Sequence, residues 1–373
     1  MPRSDFDLDD DIIYLNHAAV SPWPRRTAAA VHAFADENAR QGARDYPAWV
    51  RTESQLREQL RRLINARSAD EIALLKNTSE ALSVVAWGLP WQAGDNVVIS
   101  DREFPSNRVT WESLGSLGVT TRKVDLDRGD SPEDALIDAM DAHTRLLSIS
   151  SVQYGSGLRV DLERLGRACR ERDILFCVDA IQSIGAVRLD VQACMADFVM
   201  ADGHKWMLGP EGVALFYCRK AVMDRLVLRQ YGWHMLADYL DYDSVEPGIA
   251  TTARRFECGS PNMTGIHALH ASLALLLDTG MESIERAVLE NSRFMLDYLQ
   301  GRPEDFEILT PLPADRHAGI VTFRPRGEPP EPLFELLRNR NVVCALRGGG
   351  IRFSPHYYTP REKLFSALEM LAG

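Results

Sequence analysis

Closely paired cysteines are missing from this 373-residue chain: Cys169, Cys177, Cys194, Cys218, Cys258 and Cys344 are scattered, with no C-x-x-C motif. That spacing excludes a zinc ribbon and a thioredoxin-like redox pair. Long hydrophobic runs are missing too. None approaches the roughly 18 apolar residues that a membrane-spanning helix needs. The N-terminal stretch MPRSDFDLDDDIIYLNHAAV is acidic and has no apolar signal-peptide core, so a reduced, cytoplasmic protein is expected. Positive charge is in deficit: 42 Lys and Arg against 53 Asp and Glu leave a net charge of -11. Such a balance repels nucleic acid and anionic membrane surfaces, and neither is expected as a partner. Internal repeats and low-complexity tracts are absent as well.

What is present is the make-up of a globular enzyme-sized chain, 45% hydrophobic and 25% charged. Its length exceeds what one hydrophobic core usually serves, so two domains are expected. Between residues 70 and 220, short apolar runs alternate with helical patterns. The runs are IALLK (72–76), NVVIS (96–100), LLSISS (146–151), ILFCVD (174–179), DFVMA (197–201) and VALFY (213–217). SEALSVVAWGL (79–89) and DLERLGRACRERD (161–173) read as amphipathic helices between them. This alternation implies βαβ units and a mainly parallel sheet. From Gly265 to about Leu299 the pattern predicts one long helix, followed by a small α+β segment with VTFRP (321–325) and VVCAL (342–346) as strands.

Three segments carry chemistry. In DGHKWMLGPEG (202–212), Lys205 follows a short apolar strand and stands at a Gly-containing turn. A lysine at a strand end facing a cleft is desolvated, and its amine becomes free to attack an aldehyde. In FCVDAIQSIG (176–185), Asp179 closes an apolar strand and needs a partner there, such as a protonated pyridine nitrogen. In KNTSEALSVVAWG (76–88), Thr78 and Ser79 open a helix whose N-terminus suits a phosphate. Each segment alone has a plainer reading: a surface lysine, a helix N-cap, an ordinary capping turn.

Together, in this order, they resemble the class V aminotransferase family of fold-type I pyridoxal-phosphate (PLP) enzymes, which includes cysteine desulfurases and isopenicillin N epimerase-like proteins. The resemblance begins at YLNHAAVSP (14–22), includes SDREFPSNRVTW (100–111) and RFECGSPN (255–262), and ends at RGGGIRFSPHYYT (347–359). It implies an α/β PLP-dependent transferase fold, with a mostly parallel seven-stranded sheet in a large domain (18–256). A small α+β C-terminal domain (257–373) follows, with residues 1–17 packing near it. It also implies PLP as cofactor, a small amino acid as substrate, and a homodimer with shared active sites.

By the same resemblance Lys205 is the Schiff-base lysine and Asp179 the partner of the pyridine nitrogen. Gln182 and Gln153 would approach the phenolic oxygen. Thr78, Ser79 and His204 would bind the phosphate, Ser260 would reach the neighbour's phosphate, and Arg352 would clamp the substrate carboxylate. No metal site is assigned: His267 and His270 lack a third ligand and read as helix packing.

The chain departs from the desulfurases in three places. Phe104 stands where they carry an acid–base histidine, and can stack on a ring but not move protons. Their thiol-bearing mobile loop is contracted here to RGGG (347–350), and the nearest thiol, Cys344, reads as a core residue. Asp202 replaces a hydroxyl residue, and either points away from the phosphate or holds His204. Transamination is therefore the first expectation, then C–S or C–Se β-elimination, then epimerisation. All three start with removal of the Cα proton by Lys205. A non-catalytic binding protein of this fold is the remaining alternative, and the retained Lys205, Asp179 and Arg352 argue against it.

Overall fold

A computed structural model describes residues 5–372, except 244 and 247. A short strand β1 (Ile13–Tyr14) precedes two long helices, Arg25–Gln41 and Tyr46–Leu63. The large sheet then takes seven strands: β2 (Ile72–Leu75), β3 (Asn96–Ser100), β4 (Thr120–Val124), β5 (Thr144–Ser150), β6 (Leu175–Asp179), β7 (Phe198–Asp202) and β8 (Ala214–Cys218). Their order across the sheet is β2-β8-β7-β6-β5-β3-β4. Only β8 runs against its neighbours β7 and β2. The mostly parallel seven-stranded sheet is thus present.

Five of these strands, β3 and β5–β8, consist almost entirely of buried residues, because helices cover both faces of a parallel sheet. The apolar runs read from the sequence match six strands. The seventh, β4, has the sequence TTRKV and lies at the sheet edge, where one flank meets solvent and polar side chains are tolerated.

The C-terminal part holds a four-stranded antiparallel sheet in the order β12-β13-β10-β9. Its strands are β9 (Phe306–Ile308), β10 (Val321–Pro325), β12 (Ala345–Arg347) and β13 (Gly350–Phe353). Strand β11 (Val342–Val343) instead pairs in parallel with β1, which fastens the N-terminal segment beside this part. VVCAL is therefore two strands divided at Cys344, not one. The expected single helix from Gly265 is likewise two, Met263–Thr279 and Met281–Gln300. Gly280 separates them with φ +84°, a left-handed conformation that favours glycine. The first of the pair packs against both N-terminal helices.

Candidate active site

Parallel strands deliver their carboxyl ends to one rim, and in open α/β sheets ligands bind there. A cavity of about 340 Å³ opens at this rim. Asp179 reaches it as the last residue of β6, and Lys205 from the turn after β7. That turn is fixed by backbone bonds from Gly203 N to Val213 O (2.9 Å) and from Gly209 N to Gly203 O (2.8 Å). The hydroxyl of Ser21 holds the carbonyl of Lys205 from the N-terminal segment.

The Lys205 amine lies 5.5 Å from the centre of the Phe104 ring. Burial lowers its pKa to about 8, against the opposing pull of Asp179. Burial pushes Asp179 up to about 7, although the Ile181 N–H bonds its Oδ1 at 3.1 Å. Burial thus moves both groups toward neutral pH, the range that acid–base chemistry uses.

At another part of the wall the helix Thr78–Gly88 presents its N-terminus. Asn77 caps it by accepting the Glu80 N–H at 2.8 Å. The Thr78 hydroxyl is buried without a hydrogen-bond partner, and Ser79 donates to Ser106 at 2.8 Å. His204 also lines the cavity, with its Nδ1 3.0 Å from Asp202 Oδ1. Asp202 lines the cavity too, and neither its Oδ1 nor His204 Nδ1 has a hydrogen-bond partner among the described residues.

Arg352 enters from β13 and is only 2% exposed. Its Nη1 donates to the Tyr154 carbonyl at 2.9 Å, while its Nε has no partner. Among the described residues no carboxylate pairs with it. Burial, then the neighbouring Arg347, lowers its pKa to about 10, so it remains a cation waiting for an anion.

Two residues named from the sequence lie outside this cavity, Gln153 and Ser260, the latter expected to serve the neighbouring subunit. Gln153 is buried but does not line the cavity; its amide donates to Glu103 at 2.9 Å. Ser260 lines a separate open groove with Lys76, Gly212 and Asn262. Gln182 does line the cavity, yet both ends of its amide are engaged. Its Nε2 donates to Ala18 O at 3.0 Å, and its Oε1 accepts from Trp206 at 2.9 Å.

Sequence reasoning missed Asn77, Ser106, Tyr154 and Arg347 on the wall, and the buried Glu103 behind it. The Glu103 carboxylate gathers bonds from Ser150, Gln153 and Asn107, and thereby anchors the residue next to Phe104. Among the described residues no thiol lines the cavity. Cys344 is buried in the C-terminal core, where burial raises its pKa to about 12.

Residues 13–357 match the family described as Aminotransferase class-V. The chain belongs to that family. Its members use pyridoxal phosphate, and the chain is a PLP-dependent enzyme, a transferase or a lyase.

A probable cysteine desulfurase of Methanothermobacter thermautotrophicus is 30% identical over 100% of this chain and 97% of its own length. A similar protein of Pyrococcus abyssi is 28% identical over 99% and 96%. Among solved structures, the cystine C–S lyase C-DES in complex with cysteine persulfide superposes with a TM-score of 0.90. That pair is 24% identical and covers 97% of this chain and 98% of the other, a likeness of fold. Both curated relatives are described as probable cysteine desulfurases, the kind of C–S lyase that the motifs rank below transamination.

Proposed function

We propose that this class-V family member is a C–S β-lyase acting on a cystine-like amino acid and releasing the sulfur on a small molecule, not on a protein cysteine. The carrying observation is that the cavity joins Lys205, Asp179 and Arg352 on a wall without a thiol. The contracted RGGG turn supports this. Arg347 pairs with Gly350, leaving Gly348 and Gly349 as a two-residue hairpin with φ +62° and +80°. A Cβ on Gly348 would lie 2.5 Å from the Gly155 carbonyl oxygen, so the turn sits hard against the cavity loop.

The residues fit PLP. The unpartnered Thr78 hydroxyl and the helix N-terminus suit the phosphate, with Ser79 and His204 beside them. Asp179 suits the pyridine nitrogen, Phe104 the ring face, and Lys205 the aldehyde. When bound, the cofactor supplies an electron sink for a carbanion at Cα. In this reading Arg352 holds the α-carboxylate and Lys205 takes the Cα proton. The Cβ–S bond then breaks with its electron pair leaving on sulfur. With cystine and one water, the products are cysteine persulfide, pyruvate and ammonia. Arg347 adds a second cation on the wall and suits the far carboxylate of cystine.

Ser260, outside its own cavity, is assigned to a neighbouring subunit's phosphate, which makes a homodimer the working assembly. Unpaired thiols suit a reducing, cytoplasmic setting. No helix among the described residues is long and apolar enough to cross a membrane.

The test is product analysis on cystine, cysteine and a 2-oxo acid acceptor. Pyruvate and persulfide in equal amounts from cystine support the lyase. Amination of the acceptor without sulfur release restores transamination.

A further inference from the structure

A second polar cluster lies away from the cavity, among Glu53 of the helix Tyr46–Leu63, His234 of the turn Trp233–Met235, and Glu257. These three are 3%, 0% and 5% exposed. Arg57 joins them from below. It grips Glu257 with two bonds, of 2.5 and 2.7 Å, and also bonds Glu53. The Leu74 N–H bonds Glu257 at 2.7 Å. Arg57 and His234 hold Glu257 down to about 2 against the upward push of burial.

The histidine ring is placed between the carboxylates. Its Nδ1 is 3.3 Å from Glu257 Oε2, and its Nε2 is 3.8 Å from Glu53 Oε2. Neither nitrogen, nor Glu53 Oε2, has a hydrogen-bond partner among the described residues, so the two approaches are electrostatic contacts and not formed hydrogen bonds. A neutral imidazole carries one N–H and one bare lone pair, so it would turn that lone pair toward a buried carboxylate. A doubly protonated ring offers an N–H to each. Arg57 alone leaves the two carboxylates with a charge of -1, which one imidazolium cancels, and Arg254 is a further cation within electrostatic reach of both carboxylates.

A divalent cation fits less well. It would bring the cluster to +1 beside Arg57, whose guanidinium already occupies both Glu257 oxygens. One atom from each of Glu53, His234 and Glu257 does lie within 4.8 Å of the others, so a zinc ion is the rival that the test must separate.

We propose that Glu53, Glu257 and Arg57 form a buried socket for the His234 imidazolium, and that this proton clasps the stretch 232–239 to the helix Tyr46–Leu63 and to Glu257. The stretch's other backbone ties run to residues 248–254: Ala237 N donates to Gly248 O at 2.7 Å, and Leu236 pairs with Ile249. Arg254 donates to the carbonyls of His234 (2.5 Å) and Ala237 (3.0 Å), and Ala250 N donates to Met235 O at 2.9 Å. The other groups facing the ring are Tyr239, edge-on at 4.7 Å, and Arg254, whose guanidinium lies over Tyr239 at 4.1 Å. Tyr46 lies within electrostatic reach of Glu53. The clasp also bears on the stretch carrying Ser260, because Gly232 packs so closely on Cys258 that a Cβ there would lie 1.9 Å from its carbonyl oxygen. A clasp held by a proton is firm at low pH and loosens as pH rises and the proton leaves.

Two measurements on the full-length protein test this. In the first, nitrogen-15 NMR of histidine-labelled wild type reads the His234 ring, assigned by its loss in His234→Gln. Protons on both ring nitrogens at neutral pH are expected, and a neutral tautomer overturns the proposal. The second is hydrogen exchange of peptides covering 232–239, corrected for intrinsic rates. Protection in wild type should fall by about tenfold or more with rising pH as the buried pair is broken, and Glu53→Gln should already be loose at low pH. Protection independent of pH, or stoichiometric zinc binding lost in both Glu53→Gln and Glu257→Gln, overturns it in favour of a plain packing contact or a metal site.

Discussion

Arg352 donates one hydrogen bond to the Tyr154 carbonyl and leaves its Nε buried and unpaired. This half-satisfied cation is what an amino-acid carboxylate would complete. Arg352→Ala should raise KM for the amino acid by roughly 10- to 100-fold, the worth of a charge-assisted bidentate pair. The apoprotein should be no less stable, since a desolvated cation without a counter-anion is removed. Arg352→Lys should rescue little, because a point charge cannot reproduce the planar fork. Steady-state kinetics together with thermal melts check both statements.

Asp179 predicts a stability profile. Its folded pKa of about 7 lies above its ordinary value of 3.8, so the folded apoprotein holds this proton more tightly than the unfolded chain. The carboxyl therefore takes stability away as pH rises from about 4 to about 7, by on the order of 4 kcal/mol in full. Asp179→Asn apoprotein should lose that slope and melt higher than wild type at pH 8, while turnover falls by orders of magnitude. Melts of both apoproteins from pH 4 to 8 check the sign.

Much of this site was legible in the sequence because its parts lie at strand ends, where short apolar runs mark the strand and the next polar residue marks the rim. Asp179 and Lys205 are both of this kind. Strand β4 escaped because an edge strand need not be apolar, and the split of VVCAL at Cys344 because local composition does not report register. The long helices Arg25–Gln41 and Tyr46–Leu63 went unread between the flanking motifs. Glu103, Gln153 and the socket of Glu53, His234 and Glu257 depend on contacts across tens to hundreds of residues. No spacing rule reaches that far.

Cys344 should behave as packing. It is buried among Val342, Leu364 and Leu368 in the C-terminal core, and its thiol is held protonated by burial. Cys344→Ala should cost about 1 kcal/mol of stability, in keeping with removal of a small buried group. Persulfide release from cystine should continue at the wild-type rate. Denaturant melts and a persulfide assay on the same preparation separate the two effects.

The central claim is that Lys205 carries the cofactor in the cavity shared with Asp179 and Arg352. Borohydride reduction of the PLP-loaded enzyme, followed by peptide mapping, tests it most directly. A pyridoxyl group on Lys205 alone is the result this account predicts. A label on any other lysine, or an unlabelled Lys205 in an enzyme that still turns over cystine, would contradict it.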